Sequence, residues 1–224
     1  MTPEYWAEAT RHLARQDKVL AKLIRKYPDA DITPRGDAFQ SLARAIVGQQ
    51  ISVKAAQSIW RRFEDCVGKV KAANVVAKAD ADLRGCGFSG QKVSYVKDLA
   101  RRFHKGEVKP RRWKAMDDEA IIEELVAVKG IGRWTAEMFL MFHLLRPNVL
   151  PLGDLGLLRA MEKNYNAGRP LTRERMRKIG APWAPYASPI AKRSRSRAAS
   201  APASSAHRAT TRAKSTSTST LPKS

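Results

Sequence analysis

Apolar residues recur at helical spacing through most of this chain and almost nowhere alternate with polar ones, so the sequence asks for helices and offers no strand pattern. Trp6, Leu13, Leu20, Leu23 and Ile24 predict one helix over 4–27. Ahead of several other apolar runs stands a side chain whose oxygen can take up orphan backbone N–H groups. Asp37 precedes AFQSLARAIVG, and Ser52 precedes VKAAQSIWRRF. A helix near 70–78 comes next, and the turn GCGFSG introduces QKVSYVKDLARRF. Asp117 opens a helix to about 128, and the turn KGIG leads into another over about 133–145. Asp154 and Gly156 open the next, to about 164, and Thr172 caps a short one before APW. The expected fold is an all-α, multi-helix domain.

The chain has 224 residues, 43% of them hydrophobic, enough for one domain with a full core. No apolar run approaches the roughly 20 residues that cross a bilayer. MTPEYWAEAT carries neither a basic n-region nor an apolar h-region, so no secretory signal is expected. Two cysteines, Cys66 and Cys86, are too few for a disulfide framework or a four-cysteine metal site. His12, His104, His143 and His207 show no metal spacing. A cytoplasmic protein is the expectation. Composition breaks near Ser188, after which Ser, Thr, Ala, Pro and basic residues dominate. The expected division is a folded domain over 1–187 and a disordered basic tail over 188–224.

Net charge narrows the partners. The chain carries +21, and residues 1–187 alone keep +13, because only eight basic residues fall in the tail. An excess of this size on a globular body favours a polyanion. No segment has the basic amphipathic form that a membrane surface needs.

The most informative stretch is LVAVKGIGRWTAEMFL. It reads as an apolar helix, a tight K-G-I-G turn and a second helix starting near Arg133. Gly130 and Gly132 permit a backbone course and a close approach that a Cβ hinders. N–H groups at the start of the second helix can hydrogen-bond a DNA phosphate, and Lys129 and Arg133 add charge beside them. Taken alone, G-x-G also fits an ordinary helix ending. Thr135-Ala136 after the turn makes the stretch similar to the hairpin of the helix-hairpin-helix base-excision DNA glycosylase superfamily. PNVLPLGDLGLLRAM resembles that family's catalytic loop, with Pro151, Gly153 and Asp154 in matching positions, about twenty residues after the hairpin. ARAIVGQQISVKAAQSIWRRF resembles the helix pair whose Q-Q-I-S loop enters the minor groove. GFSGQKVSYVKDLA and APWAPY resemble the 3-methyladenine (alkyl-base) subfamily. The likeness runs over roughly 4–187.

The resemblance implies a monofunctional glycosylase that removes alkylated purines flipped out of double-stranded DNA. It implies Asp154 as the catalytic carboxylate, with Trp134 and Tyr186 forming the base pocket and Trp183 supporting it. It implies Gln49, Gln50, Ser52, Lys129, Gly130, Gly132, Arg133 and Thr135 as DNA contacts, with Gln50 as the wedge that fills the vacated space. Bifunctional relatives carry a Schiff-base lysine where Trp134 stands, so water is the expected nucleophile. No cofactor is expected beyond a structural monovalent cation on the backbone carbonyls of Val126, Val128 and Ile131, and the protein is expected to act as a monomer. Read locally, each of these residues has a plainer role. Asp154 is a good N-cap, the glutamines suit a polar connection, and the aromatics suit a core. A non-catalytic DNA-binding protein of the same fold is the competing reading, and Asp154 separates the two, since a bare binding module gains nothing from a carboxylate that repels phosphate.

The pattern breaks at the end. The subfamily continues W-x-P-Y with Arg-Ser and a closing aromatic-rich helix, whereas here Tyr186 is followed by Ala187, Ser188 and the low-complexity segment. A shifted reading frame near 187 is the expectation from so abrupt a change, and resequencing the coding region tests it.

Overall fold

The computed structural model describes residues 3–28 and 36–190, and among them all regular structure is helical. The expectation of disorder for 191–224 lies outside the described residues. Eleven α-helices lie wholly within that range, α1 (Trp6–Gln16), α2 (Lys18–Lys26), α3 (Ala38–Gly48), α4 (Val53–Val67), α5 (Ala72–Ala77), α6 (Asp80–Gly85), α7 (Gly90–His104), α8 (Asp118–Val126), α9 (Arg133–Phe142), α10 (Leu155–Tyr165) and α11 (Arg173–Gly180), and 188–190 are helical as well. Short 3₁₀ turns cover Pro110–Ala115 and Ala181–Trp183.

The caps anticipated from sequence are in place. Asp37, Ser52, Asp117 and Thr172 each accept from a backbone N–H three residues on, at 2.8, 3.2, 2.8 and 3.2 Å. The helix expected over 4–27 is instead two. Asp17 takes an extended conformation between them, and its Oδ1 accepts from the Val19 and Leu20 N–H groups at 2.8 and 3.1 Å. An aspartate whose oxygen can serve the backbone two and three residues on competes with continued helix. Helix α9 stops at Phe142, three residues short of expectation, and α6 and the Pro110–Ala115 turn were not foreseen.

Two buried clusters organise the chain. The larger runs from α3 through α9 to Val149, with Leu42, Ile46, Phe63, Leu99, Leu125 and Leu140 all closed to solvent. The smaller joins the two ends of the described chain: Leu13 and Leu20 from α1 and α2, Leu157 and Met161 from α10, Met176 from α11, then Trp183, Ala187 and Ile190. Close packing therefore continues through Ile190, three residues past the compositional break. Asp17 fastens the smaller cluster, its Oδ2 accepting from the Tyr165 hydroxyl at 2.7 Å and the Trp183 indole N–H at 3.0 Å. The segment between α9 and α10 crosses from one cluster to the other, with Val149 buried in the first and Leu157 in the second.

Candidate active site

At the turn between α8 and α9, Gly130 has φ +82°, and a Cβ there would overlap the Tyr95 ring, so only glycine fits. The Lys129 N–H donates to Asp98 Oδ2 at 3.0 Å, pinning the turn to α7. Asp98 is buried, and burial alone would raise its pKa. The Lys129 N–H together with Arg102 and Arg101 outweighs that and holds it below the usual range. Gly132 differs from Gly130. Its φ of −91° suits any residue, and nothing lies within 4 Å of the Cβ it lacks. Internal packing gives no reason for glycine there; a partner arriving from outside would. Gly132 is also the N-cap of α9, and no side chain takes up the N–H groups of that first turn as a cap.

The other expected DNA residues divide. Gln50 is exposed with φ +58°, and beside it Ile51 and Val53 present apolar side chains to solvent. Gln49 faces inward, its Nε2 donating to Gly130 O at 2.8 Å, and so ties the Q-Q-I-S loop to the hairpin. Lys92 on α7 braces the same loop, donating to Val47 O at 2.6 Å and Gln49 O at 3.0 Å. Ser52 is occupied as the cap of α4. Lys129 is exposed, whereas Thr135 is buried on α9. Arg133 is not the free charge that its position beside the turn suggested. Its guanidinium binds both Glu119 oxygens, at 2.5 and 2.7 Å, and Glu137 at 3.2 Å. Of the carbonyls expected to hold a cation, Val128 O already accepts from the Ile131 N–H at 3.1 Å, which leaves it a second lone pair.

Asp154 sits at the entrance to α10, only 3% exposed. Its Oδ1 caps the helix, accepting from the Leu157 N–H at 2.7 Å. Its Oδ2 accepts from the Trp134 indole N–H at 2.9 Å. Twenty residues apart in sequence, the two side chains meet because α9 and the 147–153 loop converge. Trp134 itself is 41% exposed, and a cavity of about 770 Å³ opens beside it, with Gly153, Leu152 and Glu137 in its wall. Glu137 was not anticipated. It is a single acid inside the apolar run WTAEMFLMF, buried, and its pKa is pushed up by burial against the opposing pull of Arg133.

The aromatic residues also divide. Trp183 is closed to solvent, with its N–H on Asp17, so it is part of the core and offers no face to a base. It supports Tyr186 through the backbone, where the Tyr186 N–H donates to Trp183 O at 2.8 Å. Tyr186 stacks on Tyr5 at 6.1 Å and meets His12 edge-on at 5.5 Å. The Tyr5 hydroxyl and His12 Nε2 are buried, and among the described residues neither has a hydrogen-bond partner. Burial pushes the Tyr5 pKa up to about 12. Neither residue stood out in sequence, because a Tyr and a His on an amphipathic helix read as ordinary core-facing positions.

Residues 43–185, which hold the glycine hairpin, the buried aspartate and the indole between them, match one family model, described as HhH-GPD superfamily base excision DNA repair protein. The chain belongs to the HhH-GPD superfamily. It is 34% identical to "DNA-3-methyladenine glycosylase 1" of Schizosaccharomyces pombe over 67% of this chain and 69% of that protein. It is 30% identical to "Putative DNA-3-methyladenine glycosylase YfjP" of Bacillus subtilis over 75% of this chain, spanning 62% of that relative's length. Among solved structures, the DNA-3-methyladenine glycosidase of Bacillus halodurans superimposes with a TM-score of 0.81 at 31% identity, covering 89% of this chain and 93% of that one. The Schizosaccharomyces pombe 3-methyladenine DNA glycosylase Mag1, solved in complex with abasic DNA, gives 0.72 at 26% identity, covering 84% and 94%. No helix among the described residues is long and apolar enough to cross a membrane.

Proposed function

We propose that this HhH-GPD protein is a monofunctional alkyl-base DNA glycosylase, hydrolysing the bond between deoxyribose C1′ and a 3-methyladenine-type purine extruded from duplex DNA. The observation that carries the reading is the Trp134 Nε1–Asp154 Oδ2 hydrogen bond of 2.9 Å. It puts a carboxylate of fixed orientation beside an exposed indole, where a lyase needs an amine. The relatives named above for 3-methyladenine, one of them bound to abasic DNA, support the same substrate class.

An alkylated purine bears positive charge, and its glycosidic bond is already weakened. The bond's electron pair leaves with the base, which departs neutral without a general acid. Charge then develops on the sugar, and the Asp154 carboxylate stabilises it electrostatically. The same carboxylate takes a proton from the water that adds to C1′. Extrusion opens a gap in the stack, which Gln50 fills, with Ile51 and Val53 supplying apolar surface beside it. Tyr186 offers a stacking face for an electron-poor ring. The Tyr5 hydroxyl and His12 Nε2, without a hydrogen-bond partner among the described residues, offer hydrogen bonds to the base edge. Gly130, Gly132 and the first turn of α9 hold a backbone phosphate, with Lys129 beside them. A monovalent cation on the carbonyls of Val126, Val128 and Ile131 would add positive charge toward that phosphate.

The test is release of free 3-methyladenine from methylated duplex DNA by wild type and Asp154→Asn. The wild type is expected to release base, and the variant to lose at least about 100-fold in rate while keeping its DNA affinity. Binding without release by wild type at any enzyme concentration would favour a non-catalytic DNA-binding protein instead.

A further inference from the structure

The cavity beside Asp154 has a wall that the glycosidic chemistry leaves unused. Besides Trp134, Glu137 and Gly153, it is lined by Arg173 and Arg177. These arginines stand four residues apart on α11, so their side chains share one face of the helix. The acids close to them are already engaged. Glu137 holds Arg133 at 3.2 Å, and Glu174, on α11 itself, holds Lys178 at 2.7 Å. Among the described residues, no carboxylate lies within 4.0 Å of either Arg173 or Arg177.

Two guanidinium groups at one recess, with no carboxylate among the described residues within 4.0 Å of them, favour an anion. A cationic alkylated purine would meet like charge there, so this cavity is not where the base lodges. The anion that must accompany any nucleotide at Asp154 is that nucleotide's own backbone. Trp134 is the second residue of α9, so the cavity begins directly beside the hairpin turn. A strand held at the hairpin passes the cavity as it brings its sugar to Asp154. The planar fork of arginine matches phosphate oxygens, and two such groups offset the repulsion between phosphate and the Asp154 carboxylate.

We propose that Arg173 and Arg177 form a phosphate subsite that grips the phosphodiester flanking the extruded nucleotide. It rests on the glycosylase reading and adds to it a second phosphate contact, away from the hairpin. Such a contact fixes the strand's register without reading its sequence.

The experiment is a salt titration of binding between 50 and 200 mM, by fluorescence anisotropy. It compares a duplex holding a tetrahydrofuran abasic analogue with an undamaged duplex of the same sequence. The proteins are wild type, Arg173→Gln/Arg177→Gln, and a control pair, Lys163→Gln/Arg175→Gln, whose side chains do not line the cavity. Loss of one phosphate contact lowers the slope of log affinity against log salt by about one. The cavity pair is expected to lose that unit and to weaken binding to the abasic-analogue duplex about tenfold more than to the undamaged one. The control pair is expected to weaken both duplexes equally. A cavity pair with the control's slope, or with equal losses on the two duplexes, overturns the subsite. Parallel release assays keep the two readings apart. A wild type that releases methylated base, combined with an unchanged slope, removes the subsite alone. A wild type that releases none removes the glycosylase reading, and the slopes still decide whether the arginines hold phosphate.

Discussion

Gly130 and Gly132 stand two residues apart in one turn, and physical chemistry assigns them different reasons to be glycine. At Gly130 the reason is internal: a positive φ and the ring of Tyr95. Gly130→Ala is expected to lower stability by about 2–4 kcal/mol, combining a left-handed backbone penalty with overpacking. At Gly132 the reason lies outside the chain. Gly132→Ala is expected to leave urea-unfolding stability within about 0.5 kcal/mol, since its space is open and its φ ordinary. The same variant is expected to weaken DNA binding at least tenfold. Equal effects of the two substitutions on stability would contradict this division. Asp154 combines two roles that sequence could only set side by side, one oxygen capping α10 and the other meeting Trp134. Since asparagine also caps well, Asp154→Asn keeps the α10 cap while removing the charge and, with its amide nitrogen facing the indole, the Trp134 hydrogen bond. Trp134→Phe keeps the ring and removes the indole N–H, so the carboxylate loses its orientation. It is expected to slow base release by about tenfold, the scale of one hydrogen bond to a charged group, with little change in DNA affinity.

Helix α7 works as a bracket for the DNA-facing loops. Its Lys92 holds the Q-Q-I-S loop, its Asp98 holds the hairpin, and Gln49 joins the two. Asp98 makes this bracket sensitive to acid. Its folded pKa lies below the ordinary 3.8, so the stability it contributes is present above that value and is lost as pH falls through the depressed folded pKa. Asp98→Asn is therefore expected to be destabilising at pH 6, with the gap to wild type narrowing as urea-unfolding curves are taken below pH 3.8. A constant gap would mean that its charge is not what holds the turn. Most helices and their caps were legible in sequence, because apolar period and cap oxygen are local signals. The break at Asp17 was not, because its cause is distant as well as local. Its second oxygen serves Tyr165 and Trp183, which no spacing announces. Trp134, Asp154 and the hairpin glycines were legible as a motif. The neutralisation of Arg133 by Glu119, the inward turn of Gln49 and the burial of Glu137 were not, for each depends on how helices pack. Asp17→Ala removes a cap and leaves a buried and a half-buried donor unsatisfied, an expected loss of about 3–5 kcal/mol.

At the scale of the whole molecule, the catalytic candidate hangs between two cores. The stretch from His143 to Gly153 leads from α9 to Asp154, and its course is fixed late in the chain. Ser188 accepts from the Val149 N–H at 2.9 Å, donates to Arg146 O at 2.6 Å and gives its own N–H to Pro147 O at 3.0 Å. Ala187 adds an N–H to Asn148 Oδ1 at 3.4 Å, and Ile190 closes the smaller cluster. Residues 187–190 therefore pack as an integral part of the site's support, although composition assigned all but the first of them to a tail. Two stop positions separate packing from charge. A chain ending after Ile190 loses eight basic residues and keeps the 187–190 segment whole. Its overall DNA affinity is expected to fall and to depend less steeply on salt. A chain ending after Tyr186 strands the Val149 N–H and uncovers the second cluster, at an expected cost of about 3–5 kcal/mol. Its base release, measured well below its own Tm, is expected to fall about 100-fold, because a carboxylate displaced by about 1 Å loses that much. Equal Tm values for the two chains would show that Ser188 and Ile190 add nothing to the fold, and equal release rates would free Asp154 from any dependence on them.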